Sequence, residues 1–114
     1  MEVEAFIEKI LGMDTRISYV AILDRIDRVL KAKVREPSKN SKFNLITPSV
    51  LMHAVRREVP YCGELTGFVI RYEKIVLAFY RMTDCVVVIG YEPEIDTPIL
   101  NSLAETLKGG SERV

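Results

Sequence analysis

His53 is the only histidine and Cys62 and Cys85 the only cysteines in this 114-residue chain. No CxxC pair is present, and the cysteines stand 23 residues apart, so zinc sites of the usual spacing are excluded and a disulfide framework is not expected. No apolar run approaches the roughly 18 residues of a membrane-spanning helix. Net charge is also missing: 16 basic residues balance 16 acidic ones, which gives no general attraction for nucleic acid or an anionic membrane. Gly63, Gly67 and Gly90 form no GxGxxG pattern, and no GKS or GKT follows a glycine-rich loop, so nucleotide binding has no support. The acidic start, MEVEAFIEKI, is wrong for a secretory signal. These absences lead us to expect a reduced, cytoplasmic protein with no metal or other cofactor.

What the chain does have is aliphatic side chains. Apolar residues make up 48% of it and aromatics only 8%, enough for a core of the size one domain needs. We expect a single domain over residues 1–110 and a frayed tail over 111–114. Charge is uneven locally. Between Arg16 and Lys42 stand eight basic residues (Arg16, Arg25, Arg28, Lys31, Lys33, Arg35, Lys39, Lys42) against Asp24, Asp27 and Glu36. A solvated face is the ordinary reading of such a stretch, and a surface for an acidic partner is the other.

The hydrophobic period changes along the chain. Val3, Phe6, Ile7, Ile10 and Leu11 share one face of a helix over Glu2–Leu11, which Gly12 stops. The period then becomes two. Ile17–Leu23 and Arg28–Arg35 read as strands around an Asp24–Asp27 turn, followed by the polar loop EPSKNSKFN. Thr47-Pro48 opens a second helix, with threonine as cap and proline in the first turn, running to about Glu58 before Pro60. Phe68–Tyr72, Ile75–Met82 and Cys85–Tyr91 form a meander with two-residue turns at Glu73-Lys74 and Thr83-Asp84. A second Thr-Pro pair, Thr97-Pro98, opens a helix to Lys108, ended by Gly109-Gly110.

A strand covered on both faces reads as continuously apolar. Val86–Ile89 does so throughout, and Ile75–Tyr80 and Tyr19–Leu23 nearly so. Arg28–Arg35 alternates, with Leu30, Ala32 and Val34 on one face and Lys31, Lys33 and Arg35 on the other, as on an edge guarded by lysine. The fold class follows: α+β, a five-stranded antiparallel sheet of order 2-1-5-4-3 with helices on both faces, topology α-ββ-α-βββ-α. The third strand becomes the second edge, and it lacks lysine protection. Such an edge invites a further strand.

That order resembles the roadblock/longin group of profilin-like domains. Arg71-Tyr-Glu-Lys-Ile-Val-Leu77 and Cys85-Val-Val-Val-Ile-Gly-Tyr91, after Met52-His-Ala-Val-Arg-Arg57, are similar to a family of small archaeal proteins with the same topology. The resemblance spans roughly Met1–Lys108. It implies a non-enzymatic protein forming homo- or heterodimers, in which the third strand and second helix pair across a two-fold axis. It also implies regulation or scaffolding of small GTPases. No binding motif of the family matches residue by residue.

Candidate chemistry is thin. His53 as a catalytic base would want a nucleophile and an orienting carboxylate, and nothing nominates either. Cys85 reads as a small buried hydrophobe, and Cys62 as an exposed loop cysteine that could be a reactive thiol. Glu92, Glu94 and Asp96 lack the other ligands of a calcium loop and read as a solvated approach to a helix N-terminus. On the second helix, Val50, Leu51, Ala54, Val55 and Val59 can face the sheet while Met52, His53, Arg56 and Arg57 point elsewhere. We therefore expect no catalytic, cofactor or metal site. The expected dimer interface is Met52, His53, Arg56, Phe68, Val69, Ile70 and Arg71. Function is expected to be that of a protein-interaction module. The alternative is a profilin-like sensory domain holding a small molecule between sheet and helix, whose mark would be polar side chains aimed into the core.

Overall fold

The computed structural model describes residues 2–35, 47–55 and 58–111. Helix α1 spans Val3–Leu11 and is followed by strands β1 (Ile17–Leu23) and β2 (Val29–Val34). Helix α2 (Thr47–Ala54) precedes the two-residue strands β3 (Glu58–Val59) and β4 (Gly63–Glu64). Strands β5 (Gly67–Arg71), β6 (Val76–Arg81) and β7 (Val86–Tyr91) lead to α3 (Thr97–Ser111). The main sheet is antiparallel with order β2-β1-β7-β6-β5, which is the expected 2-1-5-4-3 once the separate β3-β4 ribbon is set aside.

Every residue of β7 is buried, as its unbroken apolar run requires of the central strand. Alternate side chains go to two cores. On one face Ile7, Ile10 and Leu11 of α1 and Leu100, Ala104 and Leu107 of α3 cover Val20, Ile22, Val87 and Ile89. On the other, Met52 of α2 joins Tyr19, Ala21, Leu77, Phe79 and Val88. Helices thus lie on both faces. Gly90 lets β7 lie close against β1, because a Cβ there would lie 2.9 Å from that of Tyr19. Opposite it β1 carries an extra residue, Ser18, whose hydroxyl donates to the Gly90 carbonyl at 3.2 Å.

Several boundaries and faces differ from expectation. In β2 the register slips between Ile22 and Leu23, so Val29 opposes Leu23 and Leu30 is the extra residue. Leu30 is consequently 55% exposed, and Val29, Ala32 and Val34 pack inward instead. Lys31 and Lys33 lie beside α1, where they pair with Glu4 (3.7 Å) and Glu8. Arg35 donates to the carbonyls of Ile17 (2.6 Å), Asp14 (3.0 Å) and Leu11, pinning the end of α1 to the start of β1. Helix α2 stops at Ala54, four residues early, because 58–59 leave to pair with 63–64. Helix α3 runs through Gly109-Gly110 to Ser111: glycine costs a helix about 1 kcal/mol against alanine but does not forbid it. Its cap is Asp96, one residue before the threonine, whose Oδ1 accepts from the Ile99 amide at 3.1 Å. The loop at 36–46 and the tail at 112–114 lie outside the described residues, as does the Thr47 side chain.

Candidate interaction surface

Strand β5 pairs with β6 on one side, and among the described residues no strand pairs with its other side. The direction of its backbone groups follows from the ladder. The Tyr72 amide donates to the Ile75 carbonyl at 2.9 Å and the Arg81 amide to the Thr66 carbonyl at 2.9 Å. Thr66 and Tyr72 therefore use their backbone groups toward β6, and with strict alternation so do Phe68 and Ile70. Gly67, Val69 and Arg71 aim N–H and C=O at the open edge. Val69 also exposes 41% of its surface there, and Tyr72 beyond it 48%.

The seven residues expected at an interface separate into groups. Val69 stands on the open edge as expected. Phe68 and Ile70 turn toward the α2 face, half-buried, and the Phe68 ring stacks on Phe79 with centroids 4.4 Å apart and planes 10° from parallel. Arg71 is exposed but has partners within the chain, the Ile95 carbonyl at 3.0 Å and the Thr97 hydroxyl at 3.2 Å. Arg56 lies outside the described residues.

Met52 is a correction. It is 4% exposed and packs on the sheet, while Val50, expected to face inward, is 58% exposed. The stripe this eight-residue helix seats is Pro48, Leu51 and Met52, at the i, i+3, i+4 spacing, with half-buried Val55 just past its end. The expected stripe borrowed Val59 from a longer helix; Val59 belongs to β3 and is 39% exposed. The outward side of α2 thus carries Val50, His53 and Ala54. His53 keeps its exposed position, with Nδ1 3.8 Å from Asp27 Oδ2, and the Ser49 hydroxyl donates to the Asp27 carbonyl at 2.5 Å.

Other candidate chemistry is accounted for internally. A cavity of about 330 Å³ opens beside the Thr83-Asp84 turn, but its arginines are paired: Arg25 with Asp84 at 2.7 Å, and Arg81 with Glu64. Cys85 at its wall is buried, and burial with the nearby Asp84 charge pushes its thiol up, away from the reactive thiolate. Cys62 is exposed in the β3-β4 turn, which has the hydrogen bond and positive φ (69° at Tyr61) of a type II turn. Tyr61 at its tip is fully exposed, a feature that alternation of apolar residues does not signal. The hydroxyls of Tyr80 and Tyr91 are buried on the α1/α3 side, and burial, with each acting on the other, moves both titrations; the net direction is upward. No described helix is long and apolar enough to cross a membrane.

Comparison with solved structures finds the crystal structure of a Roadblock/LC7 domain from Streptomyces avermitilis, with TM-score 0.69 over 99% of this chain and 97% of that one. Sequence identity is 9%, so the likeness is one of fold. The chain has a roadblock-type fold. No protein-family model and no curated protein matches it.

Proposed function

We propose that this chain is a non-enzymatic protein-interaction module that acts as a dimer joined at the open edge of β5, and that the joined sheets form a platform for a further protein. The observation that carries this reading is the edge itself. Gly67, Val69 and Arg71 present backbone donors and acceptors outward from a strand with no lysine on it. An edge of this kind is completed by another strand through main-chain hydrogen bonds. The similarity in fold to a Roadblock/LC7 domain supports an interaction module, and the family resemblance read in the sequence makes a small GTPase the partner to try first.

Titrating the purified chain into a panel of purified small GTPases, loaded with either nucleotide, tests the partner. Saturable binding to one loaded form is the expected result. Absence of binding across the panel overturns the GTPase part and leaves the edge to be judged on the solution mass.

The sensory reading has one observation on its side, the buried hydroxyls of Tyr80 and Tyr91. They sit among Ile7, Ile10, Val20 and Ile89, each no more than 1% exposed, in a core that the chain's own side chains fill. A small molecule retained through purification and released on denaturation, detected by mass spectrometry, would restore that reading.

A further inference from the structure

Resting on the dimer just proposed, we infer its register: β5 pairs with β5 of a second copy about a two-fold axis that passes between the two Val69 residues. The outward-facing residues decide this. In an antiparallel pair, residues that exchange both backbone hydrogen bonds must all face one another, so Gly67, Val69 and Arg71 have to meet their own kind. With the axis at Val69, Val69 meets Val69, Gly67 meets Arg71 and Arg71 meets Gly67, so all three are used on both copies. With the axis at Phe68 or Ile70, only two of the three are paired. With the axis at Arg71, two guanidinium-bearing residues would stand directly opposite each other, a destabilising like-charge pair.

Side chains agree with the backbone. Gly67 has no room for a Cβ, which would lie 2.7 Å from the Phe79 carbonyl oxygen, and its bare backbone leaves space across the axis for Arg71 of the second copy. Val69, 41% exposed in the single chain, gains an apolar contact with its own copy. An axis normal to the sheet keeps faces in common, so both α2 helices lie on one side of the joined sheet and all four of the other helices on the opposite side.

The register is read by disulfide trapping. Thr66 and Tyr72 aim their backbones inward and are both exposed, so across the axis they form a non-hydrogen-bonded pair with Cα atoms about 4.5 Å apart, within disulfide reach. In a Cys62→Ser background, mixing Thr66→Cys with Tyr72→Cys chains should give a cross-linked heterodimer under mild oxidation, while either chain alone gives none. The two residues lie too far apart on one strand to close within a chain. Mixtures of Phe68→Cys with Tyr72→Cys, Thr66→Cys with Ile70→Cys, or Ile70→Cys with Tyr72→Cys report the axis at Ile70, Phe68 and Arg71, and cross-linking there instead of at 66–72 overturns the register. A dimer by mass that cross-links in none of these mixtures overturns both the register and the edge. A monomer by mass overturns the dimer reading on which the register rests.

Discussion

The Arg71 guanidinium donates to the backbone oxygen of Ile95 at 3.0 Å, tying the edge strand β5 to the segment that leads into α3. Strand and helix are far apart in sequence, and this side chain joins them at the border of the sheet. Arg71→Ala should cost about 1 kcal/mol, the net worth of a hydrogen bond that water partly replaces at an exposed site. Urea unfolding measures the loss. Hydrogen exchange should rise at Leu100, whose amide bonds to the Asp96 carbonyl at the first turn of α3, and the solution mass should not change.

Helix α2 offers a sharp contrast between neighbours. Met52→Ala removes a side chain from a close-packed core and should cost about 2–5 kcal/mol. Val50→Ala, two residues away on the solvent side, should cost under about 0.5 kcal/mol. Equal losses in urea would mean that the helix is turned differently on the sheet.

Acid should act first at the α1-β1 junction. The Asp14 carboxylate accepts from the Arg16 amide (2.8 Å), Nε (2.8 Å) and Nη2 (2.6 Å), and these bonds lower its pKa from 3.8 to about 2. A carboxylate depressed on folding adds stability above its ordinary pKa, and that stability drains away as pH falls from about 4 to about 2. Arg16 is 43% exposed, so solvent screening reduces the contribution to about 1 kcal/mol. The urea midpoint of Asp14→Asn should therefore lie below that of the parent at pH 7 and approach it by pH 2. A constant difference across that range would locate the effect elsewhere.

Much of the fold was legible because apolar patterning responds to burial on one face or two. The run Val86–Ile89 placed the central strand, and two-residue turns placed its neighbours. Features of a single residue were not legible in the same way. A bulge at Leu30 turns that side chain outward and Val29 inward at the start of β2, and no periodicity marks where a register slips. The phase of α2 failed for a related cause. An eight-residue helix supports more than one apolar stripe, and only the early exit of the chain into β3 selects Met52 over Val50. The open edge was visible as a strand without lysine, but which of its backbone groups face outward needed the hydrogen bonds at Thr66 and Tyr72.

The direction of those groups gives the most direct measurement. Val69 aims its N–H away from β6, so proline there removes a donor from the open edge and none from the ladder of the single chain. Sedimentation of the parent and Val69→Pro at micromolar concentration, with circular dichroism as a check on folding, reads the result. The parent should sediment at twice the 13.0 kDa chain mass and a folded Val69→Pro at the chain mass itself. A monomeric parent, or a folded Val69→Pro that stays dimeric, would contradict the account.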